Sequence, residues 1–399
     1  MPVPLEPMVW AGKTIYPPQV LLEAQGTDRQ YADFYPTFIE LTSHPDRPAF
    51  GWQLWVGAQM CLRRGGEWAA KHAALCVPRQ NGKGDTLEDR VLFEALMFPK
   101  AKIMHTAHQG ETADEAWERM VDRVTTVPSL AKRVASVSRV NGKRDVRFLN
   151  GSQIKYRTRS EKNMRGFGHR LIVIDEAMYF LHEMAGGLIP TGSAQSEQQF
   201  VYAFTGLFAG SDYMHDIRAK VLQGQALPRW AWFEWTLPDR ADGNDPAWWA
   251  AVNPSMADGL IKMGTVQDEF DNLQSTKFMR ERLNVHEFPQ EAGAAIPITA
   301  WRACTDVESF PGPEIHLGVF VNKDQSRSWV VAASERADGV VHVELAVAGD
   351  GTDWLAGWLA ETIHDWTDVQ PVVWLSDRTN TAVVLPELKR AKVAFKSVG

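Results

Sequence analysis

The sequence predicts an α/β fold: a doubly wound, mostly parallel sheet in an N-terminal domain, followed by a smaller sheet domain. Two observations carry the first part. Between about residues 70 and 240, short apolar runs alternate with helix-like stretches, as in a parallel sheet covered on both faces. Two of these runs, Ala73-Ala74-Leu75-Cys76-Val77 and Leu171-Ile172-Val173-Ile174, deliver polar residues to the carboxyl edge of such a sheet, where open α/β proteins bind ligands. The second part rests on three apolar runs, a helix and a further run after residue 311.

In chain order, an entry region reaches to about residue 70. Within it, Leu54, Ala58, Cys61 and Leu62 have the spacing of a helix that begins near Gly51. Ala73–Val77 and Ile103–Ala107 read as strands, and Gln109 to Val124 reads as a helix with early acids. Val146 to Tyr156 reads as a hairpin turning at Asn150-Gly151. Leu171–Ile174 and Phe200–Gly206 are further buried strands. From 241 to 310 the alternation lapses, and the segment reads as a linker with packed helices, the last running from Thr265, as its cap, to Leu283. Ile315–Val321, Ser328–Ser334, Val340–Leu345 and Pro371–Leu375 then read as strands, with a helix from Trp354 to Trp366 before the last. Three strands, a helix and a strand suit an RNase H-like sheet. The expected domains are therefore 1–240, a linker over 241–310, and 311–399, the last one expected to be incomplete.

The loop Pro78-Arg79-Gln80-Asn81-Gly82-Lys83-Gly84-Asp85 follows the first strand. A lysine behind glycine reaches phosphate while loop N–H groups wrap it. Asp175-Glu176 end the later strand, where one acid suits Mg²⁺ and the other a base for the attacking water. The loop departs from the common Gly-x-x-x-x-Gly-Lys-Ser/Thr form: the first glycine is absent, and Gly84 stands where a hydroxyl residue would ligate the metal. The metal must then lean on Asp175, on Asp85 or on water. Alone the loop is a weak signal and reads sooner as an ordinary glycine turn. With the acids it predicts a P-loop ATPase, and Trp52-Gln53 at the start of the entry helix is the candidate adenine contact.

Composition bounds the rest. A net charge of −7 rules out a global basic field, so nucleic-acid binding must come from local patches. Cys61, Cys76 and Cys304 are far apart and form no CxxC pair, which supports neither a disulfide framework nor a zinc site. No long apolar stretch or basic-then-apolar leader is present, so a cytosolic protein is expected. Lys132, Arg133, Arg139, Lys143, Arg144, Arg147, Arg157 and Arg159 form a basic cluster that suits either DNA phosphates or a solvated hairpin face. His105 and His108 lack an acid or cysteine partner at metal-ligand spacing and read as satisfied polar positions.

Together these residues resemble the large terminase subunit of tailed bacteriophages, over most of the chain. Arg79 to Lys83 matches its Arg-x-x-Gly-Lys loop, Asp175-Glu176-Ala177 its Walker B strand, and Arg165-Gly166 an Arg-Gly pair ahead of that strand. Thr205-Gly206 is similar to its coupling segment, and Asn253-Pro254-Ser255 and Arg282-Leu283 to its inter-domain region. The resemblance implies a motor that translocates double-stranded DNA into a procapsid, with ATP and Mg²⁺ as cofactors. Its partners would be a portal protein, a small terminase subunit and further copies in a ring, in the cytoplasm of an infected host cell. Lys83 would neutralise phosphate, Asp175 hold Mg²⁺, Glu176 activate water, Arg79 sense the γ-phosphate in cis, and Arg165 act as a finger in trans. Gln80, Asn81, Gly82 and Gly84 would complete the nucleotide-binding loop. A helicase-type ATPase and a non-hydrolysing packaging subunit are the alternatives.

The resemblance further implies a nuclease using acids on two metal ions, a second Mg²⁺ or Mn²⁺ included. Phe320 stands where the first acid is expected, and a phenylalanine binds no metal. Asp324, four residues on, would lie roughly 13 Å further along a continuing strand. Asp377 matches the second acid, and the third is expected beyond Gly399, so the nuclease is expected to be truncated or degraded.

Overall fold

The computed structural model describes residues 2–140, 144–159, 168–192, 197–287, 301, 304–306, 308–365, 371–376 and 379–398. The chain divides into two compact units, Met1–Ile298 and Thr299–Gly399.

In the first unit, a hairpin of Met8–Trp10 (β1) and Lys13–Ile15 (β2) precedes strand Val20–Leu22 (β3). Helices Gln30–Thr42 (α1) and Gly51–Met60 (α2) follow, then the small hairpin Arg63–Arg64 (β4) and Glu67–Trp68 (β5). The main sheet comprises β3 with His72–Cys76 (β6), Lys102–Ala107 (β7), Val134–Ser138 (β8), Arg144–Phe148 (β9), Gln153–Thr158 (β10), Leu171–Ile174 (β11), Gln199–Phe204 (β12) and Trp230–Glu234 (β13). Their order is β3-β13-β6-β12-β11-β7-β10-β9-β8. From β13 to β10 all neighbours are parallel, and the antiparallel pairs lie at the two edges. The hairpin β9/β10 turns through Gly151 at φ +85°, a conformation glycine adopts without penalty.

Strand alternation feeds two cores. Ala73, Leu75, Ile103, Leu171, Val173, Val201 and Ala203 face α1, α2, Lys83–Met97 (α3) and Gly110–Thr126 (α4). Ala74, Met104, Ile172, Ile174, Phe200 and Tyr202 face the side of His182–Leu188 (α6) and Asp212–Leu222 (α7), which follow the short Pro128–Ala131 (α5). A strand with apolar residues on both faces is what continuous hydrophobic runs encode.

Residues 241–287, part of the linker with packed helices expected from the sequence, fall within the first unit. Pro246–Val252 (α8), Met263–Asn272 (α9) and Ser275–Arg282 (α10) belong to the first unit and pack around Trp248, Trp249, Val266, Phe278 and Leu283. The single helix expected from Thr265 to Leu283 is two, because Leu273 and Gln274 are extended, and its first cap is Lys262 rather than Thr265.

In the second unit, His316–Val321 (β14), Arg327–Glu335 (β15), Val341–Asp350 (β16), Val372–Leu375 (β17) and Phe395–Ser397 (β18) form a sheet of order β16-β15-β14-β17-β18. The first three are an antiparallel meander, while β17 is parallel to β14 and β18 to β17. The strand β18 was not read from the sequence, and it adds a fifth strand to the four expected. Leu355–Asp365 (α11) and Leu385–Arg390 (α12) cover one face through Leu355, Leu359 and Leu388, against Leu317, Val319 and Val373.

Helices α1 and α2 meet where Gly57 admits the buried Tyr35 ring, and a Cβ at Gly57 would fall 2.1 Å from Tyr35 Cε1. Alanine favours a helix interior over glycine by about 1 kcal/mol, yet overpacking costs about 1–3 kcal/mol. Gly57→Ala is expected to lower the urea midpoint, and a midpoint at or above that of the unsubstituted chain would contradict this contact.

Candidate active site

The order β6-β12-β11 brings three carboxyl strand ends side by side, with Cys76 opposite Phe204 and Ile174 opposite Tyr202. The loop after β6 then turns sharply into α3. Gln80 at φ +62° and Gly82 at φ +81° are left-handed, and Gly82 occupies the position just before the first helical turn. A side chain at Gly82 would meet Gln53 Nε2 at 2.6 Å, which, with its φ, selects glycine there. Lys83 is the first residue of α3 and is half-buried at a helix end that favours anions.

Buried polar groups hold this loop from behind. The Asn81 amide donates to Asn253 Oδ1 at 2.8 Å and to the Pro78 and Arg79 carbonyls, each at 3.3 Å. Its own oxygen accepts from the Ser255 N–H at 3.2 Å, and its carbonyl accepts from Ser255 Oγ at 2.6 Å. Asn253 in turn donates to the Trp249 and Arg282 carbonyls, at 2.9 Å each. Arg282 pairs with Glu269 and donates to Gln80 Oε1 at 3.2 Å. The exposed Arg79 pairs with Glu281, and its N–H donates to the Glu281 carbonyl at 3.2 Å.

The expected adenine contact is corrected. Trp52 is fully buried, its indole N–H donates to Ser255 Oγ at 2.8 Å, and it packs edge-on against Trp235. Gln53 is committed at both ends: its oxygen accepts from the Phe50 N–H at 2.7 Å, and its amide donates to the Gly82 carbonyl at 2.8 Å. Both residues brace the loop. Neither presents a face to a base.

At the end of β11, Asp175 is buried with one oxygen 3.8 Å from His105 Nε2 and the other accepting from the Glu176 N–H at 2.8 Å. Burial alone would raise its carboxyl, but the His105 ring and the Lys83 ammonium outweigh it and lower the pKa to about 2. Asp175 is therefore ionised and fits a divalent cation. Mg²⁺ ordinarily takes one or two carboxylates and completes its shell with phosphate oxygens and water. Asp85, the other acid considered for the metal, is drawn to Arg47 at 3.3 Å.

Glu176 is left-handed at φ +52°, an uncommon conformation for a residue with a side chain. Its carboxylate accepts from the His108 N–H at 2.9 Å, the Gln109 N–H at 3.1 Å and Thr112 Oγ1 at 3.3 Å, so it caps the N-terminus of α4. The buried Arg159 donates to the Asp175 and Glu176 carbonyls, at 2.5 and 3.0 Å, and fixes this corner. Burial pushes the Arg159 guanidinium down to about 10, against the pull of the two acids.

Between these strand ends, Thr205 and Gly206 line a cleft of about 300 Å³ with Arg79, Met178, Tyr179, Phe208, Arg280 and Glu281. Gly206 lets the chain from α10 pass, since a Cβ there would lie 2.9 Å from the Val285 carbonyl. The next N–H, of Leu207, donates to His286 Nδ1 at 2.9 Å, so His286 carries its proton on Nε2, 3.1 Å from Glu234 Oε1. Glu234 also takes a bidentate Arg218 and the Trp232 indole N–H. Burial would raise this carboxyl, but His286 and Arg218 hold it down at about 2. Among the described residues, Cys76, Glu234 and His286 are the one group with metal-like spacing, yet both Glu234 oxygens are already engaged by an arginine. His286 lies in no motif, and sequence reasoning missed it.

Arg165, Gly166 and Asp377 lie outside the described residues. Asp324 sits exposed at the tip of the β14/β15 hairpin and accepts from Ser326 N–H and Oγ, at 3.2 and 2.8 Å, so it shapes a turn. Phe320 is 56% exposed on β14. The basic cluster is partly neutralised within itself: Arg144 bonds Asp114, and Arg147 and Arg157 flank Asp145. Lys132, Arg133 and Arg139 remain exposed. His105 stacks on Tyr156 and His108 on Tyr179, which places both histidines in ring packing.

No family model and no curated protein matches the chain. Among solved structures it is similar to the large terminase of bacteriophage HK97, at 15% identity and TM-score 0.54, over 92% of this chain and 85% of that one. It is also similar to the large terminase ATPase domain of Thermus phage P74-26, at 17% identity and TM-score 0.44, over 62% of this chain and 96% of that one. The large terminase of the thermophilic bacteriophage D6E matches at 9% identity and TM-score 0.44, over 87% of this chain and 81% of that one. The HK97 likeness shows a shared fold.

Asn81→Ala removes the partner of Asn253 Oδ1 and of the Ser255 N–H inside a buried network. Stranding buried polar groups costs about 1–3 kcal/mol each. Equilibrium urea unfolding is expected to show a loss of that order, and a change within error would mean that water replaces the amide.

Proposed function

We propose that this chain is an ATPase that drives double-stranded DNA into a viral procapsid. The observation that carries the reading is the convergence of Lys83, at the N-terminus of α3, with the ionised Asp175 and adjacent Glu176, across β12, the strand that leads into Thr205-Gly206. The fold shared with the HK97 large terminase supports the packaging role.

In this reading ATP phosphates lie on the left-handed loop at Gln80 to Gly84, with Lys83 balancing their charge. Asp175 would hold Mg²⁺, which supplies charge neutralisation at the reacting phosphate. Glu176 is the base for the attacking water, but its carboxylate rests on α4. It must leave the His108 and Gln109 N–H groups before it can orient water, so hydrolysis is gated by that rotation. Arg79 senses the terminal phosphate by exchanging its Glu281 partner for it. Thr205-Gly206 passes the change to the chain beyond α10, and Arg165 serves a neighbouring copy in a ring. Lys132, Arg133 and Arg139 offer an exposed basic edge to the DNA backbone. A portal protein and a small terminase subunit are the implied partners, in the cytoplasm of an infected cell.

The strand order of the second unit supports an RNase H-like nuclease with an impaired metal site. Phe320 stands at the end of the central strand, and Asp324 is spent on its turn. This chain is expected to cut DNA poorly in Mg²⁺ or Mn²⁺, and Phe320→Asp alone to leave the rate low, because a two-metal clamp needs more than one restored acid. Rapid cleavage by the unsubstituted chain in a plasmid-nicking assay would refute that.

Lys83→Ala is expected to cut ATP turnover by about 100-fold or more, as loss of a main charge-stabilising group does. Glu176→Gln keeps an oxygen for the α4 N–H groups and is expected to bind ATP normally while hydrolysing almost none. A phosphate-release assay with a parallel binding measurement checks both. Undiminished turnover by the lysine variant would remove the ATPase assignment.

A further inference from the structure

Gly84 stands where the common phosphate loop carries the hydroxyl residue that reaches the metal. The space its side chain would use is filled. A Cβ built on Gly84 lies 2.6 Å from Arg119 Nη2 and 3.1 Å from Arg119 Cζ, so the guanidinium of an α4 residue rests where the hydroxyl would point. The missing hydroxyl is thus part of an exchange: glycine makes room for a cation at the mouth of α3.

That cation is uncommitted. Its Nε is buried without a partner, and no ion pair or hydrogen bond of the described residues involves its guanidinium. The acids nearby are taken by another arginine. Arg47 pairs with Asp85 at 3.3 Å, Glu88 at 3.4 Å and Asp122 at 3.4 Å, and it donates to the Arg119 carbonyl at 3.2 Å. Arg47 therefore ties α3 to α4 at the height of Arg119 and draws off the carboxylates that would neutralise it. An unpaired, partly desolvated guanidinium beside a helix N-terminus and a lysine is built to receive an anion, and its planar fork matches phosphate oxygens.

We propose that Arg119 is a phosphate-binding residue of the nucleotide site, supplying from α4 the charge that a loop hydroxyl and its metal supply in the common form. This rests on reading the loop as a nucleotide site. Binding would then depend less on Mg²⁺ than in loops with Ser or Thr, because a fixed guanidinium meets the phosphates directly. It would also sense the position of α4, the helix that Glu176 caps.

ADP affinity, measured by calorimetry with Mg²⁺ and with EDTA, tests this. Arg119→Ala is expected to weaken ADP about tenfold or more, the usual effect of deleting a charge-assisted hydrogen bond, with an unchanged urea midpoint and partial rescue by Arg119→Lys. Gly84→Ser alone is expected to weaken binding, because the new side chain meets Arg119. The pair Gly84→Ser/Arg119→Ala is expected to regain affinity only with Mg²⁺. Arg119→Ala affinity equal to that of the unsubstituted chain, while Lys83→Ala loses binding, would overturn the role of Arg119 and leave the nucleotide site standing. Affinity unaffected by either substitution would overturn the nucleotide site itself. A loss in Arg119→Ala that tracks a lowered urea midpoint and is not rescued by lysine would reduce Arg119 to a packing residue.

Discussion

The arrangement depends on one buried side chain, Asn81. A loop that passes through two left-handed residues within three positions has no helix or sheet bonding of its own to hold it. Asn81 supplies that bonding from inside, joining the loop to Asn253 and Ser255 while tying its own turn to Pro78 and Arg79. Because Asn253 also bonds the carbonyls of Trp249 and Arg282, the loop, α8 and the end of α10 share one network. A half-satisfied version of such a network would cost more than an apolar core, so its members are fixed as a set.

The same construction explains where charge is spent and where it is kept. Around the strand ends, most arginines are committed: Arg218 to Glu234, Arg282 to Glu269, Arg123 to Glu88 and Asp89, and Arg159 to two carbonyls. Against that background, among the described residues, the Arg119 guanidinium has no acid partner, while Lys83 acts on Asp175 from the first turn of α3. The acids follow the same logic. Asp175 stays ionised although buried, because His105 and Lys83 outweigh desolvation, whereas Glu176 has its charge satisfied by α4. Two adjacent carboxylates thus have different partners.

The second unit has the simpler logic of a sheet built around one central parallel pair. Leu317 and Val319 of β14 face a core shared with Val373 of β17, while Phe320 turns to the other side. Phe320 is an exposed ring near the end of the central strand, and the nearest acid along the chain, Asp324, closes a hairpin.

The sequence by itself determined the central strands β6, β11 and β12, the loop and the terminal acids, because apolar runs of four to six residues and glycine-lysine turns depend on local chemistry. It also led Trp52 and Gln53 to be read as ligand contacts, since a polar-aromatic pair near a loop has no direction until packing gives it one. Only the tertiary structure turned them inward, broke the long helix at Leu273 and Gln274, and added the short strand Phe395–Ser397, whose pairing with β17 is non-local. His286 and Arg119 belong to the same class. Each lies against a segment far from it in sequence, Leu207 in one case and Gly84 in the other, and proximity in the folded chain leaves no periodic trace in the sequence.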